Sequence, residues 1–516
     1  MKTNRAYLLL IVFVSGMTSL AVELSASRLL APYFGTSLII WANLIGLVLI
    51  YLTVGYYLGG RWADRSPYES VLYQITAWAG FTIGLVPFVA RPILRWSVLG
   101  FANYSLGILM GSLFGVILLL AFPITLLGCV SPFAIRLAMR DVDSAGNIAG
   151  SIYALSTLGS IIGTFTPVLI LIPNIGTRNT FLAFSLVLLI LSLLGLARVA
   201  GRRALLYVLM LVILLALIVF VPAGVIKASP GLIYETESAY NYIQVLKRGD
   251  DINLHLNEGM GLHSVYNPHR ILTYGIWDFF LVVPYFNEPP YSADQVDSLC
   301  LIGSAAGTIP KQYTAVYGPI PIDGAEIDPR IVAVGRQFFA MNEPNFNVIT
   351  QDGRYFLSHS QKKYDVVATD AYRPPYIPFH LTTREYFIEV RDHLTEEGVA
   401  VINVGRTHTD YSLVDVLAST MKDVFPSVYI IDTPDDGSDL GNSLVVGTVK
   451  PTKLANLEAN VALMDHPLLL DVARRTLGHV REVKESTVVF TDDKAPVEQV
   501  VHGLILRYAL AAGSPR

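Results

Sequence analysis

Ser298-Leu-Cys-Leu-Ile-Gly303-Ser-Ala-Ala-Gly307-Thr308 decides how the C-terminal half of this 516-residue chain is read. An apolar run breaks into small residues and then into a helical pattern from Ile309, which predicts a strand, a tight turn and a helix. A second short strand ends in Gly324-Ala-Glu326-Ile-Asp328-Pro329, so Glu326 follows Gly303 by 23 residues. That is about the distance at which a nucleotide-binding fold sets an acid against ribose hydroxyls. A third strand, 346–350, ends at Gln351-Asp352-Gly353, and a fourth, 364–369, ends at Asp370-Ala371-Tyr372. Four successive strands thus end in small or polar residues, on the edge of an open α/β sheet where ligands bind. Further strands are expected at 398–404, 427–432 and 442–448, which predicts a mainly parallel, Rossmann-like sheet covered on both faces.

Composition divides the chain. Hydrophobic residues make up 53% and charged residues only 15%, and a mean hydropathy of +0.50 is too high for an ordinary soluble protein. Nearly all of the long apolar runs lie before residue 227. A net charge of −4 gives no sign of nucleic-acid binding. The two cysteines, Cys129 and Cys300, supply neither a disulfide framework nor a metal cluster, and no metal is expected.

Seven runs are long enough to span a bilayer as helices: 6–27, 37–59, 71–90, 104–127, 145–172, 180–198 and 204–224. Small residues inside them, among them Gly46, Gly55, Gly59 and Gly60, then Gly150, Ser156, Gly159, Ser160 and Gly163, allow close helix packing. Glu23 is an ionisable group inside the first run, either a functional site or a headgroup-level partner of Arg28 or another base. The tail and the even-numbered loops hold nine basic residues against four in the others, which places the N-terminus in the cytoplasm. Seven spans then put the C-terminal half outside. The stretch 104–138, with Pro123 and Pro132, is the place where a re-entrant piece would change that count.

Past a linker at Lys227-Ala-Ser-Pro230-Gly231, alternating segments at 240–247, 252–256 and 262–266 predict a small antiparallel β-unit. Thr273-Tyr-Gly-Ile-Trp277-Asp278 opens a helix leading to Pro284. Three domains are therefore expected: 1–226, a helical membrane bundle; 227–290, the β-rich unit; and 291–516, the nucleoside-binding domain.

The C-terminal motifs resemble the spermidine synthase family of polyamine aminopropyltransferases, which share the class I methyltransferase fold. Glu23…Arg28-Leu-Leu-Ala-Pro32-Tyr-Phe-Gly35 and Gly55-Tyr-Tyr-Leu-Gly59-Gly60-Arg61 look like the membrane half of bacterial proteins that fuse such a synthase to a transporter-like bundle. Thr491-Asp492-Asp493-Lys494-Ala-Pro496-Val-Glu498 looks similar to that family too, with its acids read as a helix cap. The resemblance covers nearly the whole chain. It implies a donor, decarboxylated S-adenosylmethionine or S-adenosylmethionine itself, held by Gly303, Gly307, Glu326, Asp352 and Gly353. Asp370 is then the catalytic base. Tyr240, Asn241, His263, Trp277, Asp278, Tyr372 and Arg373 fall at or beside positions that contact substrate. The implied partners are an amine or membrane-associated acceptor and membrane lipids. A homo-oligomer in the bacterial inner membrane is expected, with the transferase domain in the cytoplasm despite the loop charges.

Several positions depart from the family pattern. Asn241 stands for Gln, Trp277 and Asp278 stand for Tyr and His or Gln, Ala306 stands for an Asp in the glycine motif, and Arg373 stands for a second Asp after the base. A dication is normally steered by several carboxylates, so losing two and gaining an Arg weakens ordinary diamine recognition. Methyl transfer from intact S-adenosylmethionine, or a non-catalytic transport or sensor role with a nucleoside-binding domain, remain the alternatives.

Overall fold

The computed structural model describes residues 4–101, 107–139, 143–222, 224–259, 261–372, 376–434, 440–485 and 487–512. The chain divides into two compact units, one of Met1–Ser229 with Glu235–Tyr242, the other of Pro230–Tyr234 with Ile243–Arg516.

The first unit contains α1 (Arg5–Phe34), α2 (Leu38–Arg65), α3 (Glu69–Phe101), α4 (Gly107–Gly128), α5 (Val130–Ala138), α6 (Ala145–Thr166), α7 (Ile172–Ala200) and α8 (Leu205–Phe220). Asn4 and Ser37 cap the first two helices by accepting from the Tyr7 and Ile40 amides. The seven expected spans correspond to α1–α4 and α6–α8. Short α5 follows α4 in one apolar run, Leu109–Ala138, and Ala145–Phe220 forms a single 76-residue run containing α6, α7 and α8. Five such runs are long and apolar enough to cross a membrane among the described residues. Inside α7, Gly176 adopts φ 78° and breaks the helix just before the expected sixth span.

Only some of the small residues serve close packing. A Cβ on Gly159 or Gly163 would lie 2.1 or 2.0 Å from the carbonyl oxygens of Phe13 and Met17, so α6 lies directly against the α1 backbone. Gly46, Gly60 and Gly150 meet nothing within 4 Å.

A four-stranded sheet follows in chain order: β1 (Leu232–Glu237), β2 (Tyr242–Arg248), β3 (Asp251–Leu256) and β4 (Leu262–Tyr266). The linker reading missed β1, although Leu232-Ile-Tyr-Glu-Thr-Glu237 follows the Gly231 turn directly. The segment Ile276–Phe286 is helical as expected, but it winds as a 3-10 helix and is buried from Trp277 through Phe286.

The main fold follows as β5 (Leu299–Ile302), α9 (Thr308–Tyr317), β6 (Ile322–Ala325), α10 (Pro329–Phe338), β7 (Phe346–Ile349), α11 (Gly353–His359), β8 (Tyr364–Thr369), α12 (Arg384–Asp392), β9 (Leu394–Thr407), α13 (Ser412–Lys422), β10 (Ser427–Asp432), β11 (Leu440–Thr448), α14 (Leu454–Val461), α15 (Pro467–Thr476), β12 (Val480–Glu482) and α16 (Val497–Ala512). The sheet order is β12-β10-β11-β9-β8-β5-β6-β7. Strands β5 to β9 pair in parallel, whereas β11 runs antiparallel to β9 and β10.

Strand alternation builds two cores from one sheet. Leu299, Leu301, Val366, Ala368, Val399 and Val401 enter one, with the 3-10 segment. Cys300, Ile302, Val367, Ala400 and Ile402 enter the other, with α12 and α13. Each Leu, Ile or Val among them contributes about 1.5–3 kcal/mol on full burial, and both faces are covered. The chain leaves β5 toward β6 on one side and returns as β8 on the other. The crevice at that switch point opens at the C-terminal ends of β5 and β8.

Candidate active site

The turn after β5 is set by backbone geometry. Gly303 has φ 88° and Gly307 has φ 86°, conformations that disfavour any side chain. A Cβ on Gly303 would lie 2.5 Å from the Asp370 carbonyl oxygen, so the ends of β5 and β8 touch there through backbone. A Cβ on Gly353 would sit 2.3 Å from Cγ2 of Ile302, which brings the start of α11 to the same strand end. Ala305 also takes a positive φ, 44°. Its amide donates to Oε2 of Glu326 at 2.9 Å, and the Asp328 amide donates to Oε1 at 3.1 Å. Gly303, Gly353, Glu326 and Asp370 therefore gather around one strand end. Ser304 Oγ is buried in this turn with no hydrogen-bond partner among the described residues.

Burial decides the charge of the two central acids. Glu326 is pushed up to about 7 because desolvation outweighs its two backbone donors. Asp370 is likewise raised to about 7 by burial, against donors from Asn403 and Trp277 that favour the carboxylate. The Asn403 Nδ2 donates to Oδ1 at 2.8 Å and the Trp277 Nε1 donates to Oδ2 at 3.0 Å. Asn403 is positioned in turn by Asn442, whose Nδ2 donates to its Oδ1 at 2.9 Å. The Tyr372 hydroxyl donates to the Asn403 carbonyl at 3.0 Å. Neither Asn was expected in the site. Its signal was Asn403 itself, a polar residue at the end of the otherwise apolar Val399-Ala-Val-Ile402.

Asp352 caps α11 by accepting from the Tyr355 amide at 3.0 Å, and its second oxygen lies 3.2 Å from Nε2 of His380. His263 is on β4, beside Ser264, whose hydroxyl accepts from the Ala306 amide at 3.0 Å. Burial lowers the His263 imidazole to about 4, so it is neutral at physiological pH. Tyr240 and Asn241 belong to the helical unit, in a turn where the Asn241 carbonyl accepts from the Ser238 amide at 2.8 Å. Arg373 lies outside the described residues.

Asp278 corrects an expectation. Rather than facing an amine, it is fully buried and accepts five hydrogen bonds, from the Thr273 amide and hydroxyl, the Tyr274 amide, Gln312 and Arg475, all within 2.9 Å. It anchors the 3-10 segment that presents Trp277. Asp492, read as a helix cap, instead accepts from Arg354 and Thr383, tying α11 to α12.

Comparison with known proteins finds similar sequences for this part of the chain. Residues 319–442 match the spermine/spermidine synthase domain. A probable polyamine aminopropyl transferase of Bifidobacterium longum is 31% identical over 283 residues, covering 52% of this chain and 61% of the relative. A polyamine aminopropyltransferase of Vibrio vulnificus is 30% identical, covering 34% of this chain and 55% of the relative. The chain thus spans less than two thirds of either relative. A crystal structure of a probable spermidine synthase from Corynebacterium glutamicum is 16% identical, with a TM-score of 0.40 over 56% of this chain and 97% of that one. Within the C-terminal half, residues 319–442 are thus similar to the spermine/spermidine synthase domain.

Proposed function

We propose that the sheet unit is a spermidine synthase-like transferase that moves an aminopropyl group from decarboxylated S-adenosylmethionine to an amine, and that the helical unit holds it in a membrane. The observation that carries this reading is the Asp370 carboxylate at the switch point, fixed by two neutral donors and free of any ion pair among the described residues. In the reaction, the amine nitrogen attacks the methylene carbon beside the sulfonium. The carbon–sulfur bond breaks with its electron pair going to sulfur, and methylthioadenosine leaves. Asp370, with a proton affinity near neutrality, takes the proton released by the amine. Most of the acceleration comes from holding both partners in line. Glu326 is assigned to the ribose and Asp352 to the adenine, with Gly303, Gly307 and Gly353 allowing the donor to approach backbone. His263, Trp277 and Tyr372 border the acceptor in this reading, while Asp278 holds the wall.

Methyl transfer is the second reading. It is favoured by Ala306, which is buried with its amide on Ser264 where the family has an acid. A 28% identical relative from Emericella nidulans, an N-terminal histidine N-methyltransferase of which the chain covers 29%, points the same way. Incubation with each donor and a panel of amines, followed by mass spectrometry, separates the two. A product heavier by an aminopropyl group supports the proposal, and one heavier by a methyl group overturns it. Reporter fusions after Lys227 test the proposed cytoplasmic side, and a signal only from an external reporter would overturn it.

A further inference from the structure

We propose that α1 carries, inside the helical unit, a binding site for a primary ammonium group, built from the Glu23 carboxylate and the hydroxyls of Ser15, Thr18 and Ser19. This goes beyond the transferase reading and does not depend on it.

Ser15, Ser19 and Glu23 recur every four residues, so on a helix they form one stripe, with Thr18 beside it. All four are buried, Glu23 being 8% exposed, and Val14, Val22 and Ala26 surround them in sequence. Glu23 makes no hydrogen bond or ion pair with any described residue. The pairing with Arg28 expected from the sequence does not form, because that guanidinium donates to the carbonyls of Ala239 and Tyr240.

The hydroxyls are a second, independent observation. Elsewhere in the unit the buried Ser97 and Ser192 bond the carbonyl one helical turn back at 2.8 and 2.7 Å, as the more exposed Thr53 and Thr82 also do. The oxygens of Ser15, Thr18 and Ser19 are buried without any partner among the described residues. Unpaired polar atoms in an apolar interior are costly, and ionisable ones at membrane depth mark functional sites. The stripe offers oxygen acceptors and one negative charge, with no basic side chain paired to it among the described residues. That chemistry suits a cation that brings its own N–H donors. An anion is repelled, and a hard divalent ion calls for more carboxylates than one. A primary ammonium, with three N–H groups, can engage one carboxylate and two hydroxyl oxygens together.

The test uses the full chain in lipid nanodiscs with radiolabelled butylamine as probe and tetramethylammonium, which has the charge without the donors, as control. No adenosyl donor is present, so the outcome is separate from that of the transferase assays. Wild type should bind butylamine saturably and ignore tetramethylammonium. Glu23→Gln should weaken binding at least about 10-fold and Ser19→Ala about 3-fold, with Glu23→Asp retaining part of the affinity. An absence of saturable butylamine binding, equal binding of the two cations, or undiminished binding by Glu23→Gln overturns the proposal. Should Glu23→Gln fail to stay monodisperse, Ser19→Ala decides, and unchanged affinity there overturns it.

Discussion

Trp277 and Asp278 are neighbours in the chain, yet they serve two regions of the sheet unit in opposite ways. Asp278 lies in a saturated anchor: five donors and the Arg475 charge surround a carboxylate with no exposure. Trp277 reaches the tip of β8, where Asp370 has only two donors and no ion pair among the described residues. A buried charge that is fully satisfied holds the fold, whereas one left partly satisfied is available for chemistry. Glu23 is the extreme of the second kind, with no partner among the described residues.

The largest effect expected from this contrast is at the anchor. Asp278→Asn removes the charge opposite Arg475 and turns one acceptor into a donor facing other donors. Breaking a buried pair in this way costs about 3–5 kcal/mol. Urea unfolding of the purified chain, followed by tryptophan fluorescence, should show a lowered midpoint, and a loss under about 1 kcal/mol would contradict the anchor role.

Asp370→Asn should do the reverse. Because its folded proton affinity lies above the ordinary carboxylate value, Asp370 adds stability at low pH and loses it as pH rises through about 7. At pH 8 the Asn variant should therefore be more stable than wild type, by on the order of 1–3 kcal/mol. Turnover should fall roughly 100-fold or more, with donor affinity little changed, and the rise of kcat with pH near neutrality should vanish. An active Asp370→Asn enzyme would remove the base assignment and favour methyl transfer by positioning alone.

The sequence made the sheet legible because each parallel strand is a short apolar run closed by a small or polar residue. The expected strands at 346–350, 364–369 and 427–432 match β7, β8 and β10 to within one residue. The positions of Gly303, Glu326 and Asp370 at strand tips were readable for the same reason, since each directly follows the last residue of its strand. Side-chain partnership was not readable. Asp278 and Asp370 look alike in a sequence, and only the long-range donors Gln312, Arg475, Asn403 and Trp277 distinguish them. Strand β12 was missed because its three residues, Val480–Glu482, carry too little pattern. Pairing with β10 creates it.

A smaller effect belongs to Glu326, whose Oε2 supports the positive-φ Ala305 amide and whose proton affinity is raised by burial. Glu326→Gln keeps the shape but replaces one acceptor with a donor. Calorimetry with methylthioadenosine should show about 10-fold weaker binding, and undiminished affinity would place the ribose elsewhere.

The finest test separates Trp277 from Asp278 directly. Trp277→Phe removes the Nε1 donor 3.0 Å from Asp370 while leaving Asn403 and the Asp278 anchor in place. That donor favours the charged carboxylate, so its loss should raise the Asp370 proton affinity further above about 7. The rising limb of kcat should then move to higher pH by a fraction of a unit to about one unit. Activity near pH 7 should drop several-fold and recover by about pH 9, where the carboxylate is ionised in both proteins. Loss of packing alone would lower activity equally at every pH, because a cavity does not titrate. A limb that stays in place would therefore reduce Trp277 to a wall of the crevice and leave Asn403 as the residue that sets the base.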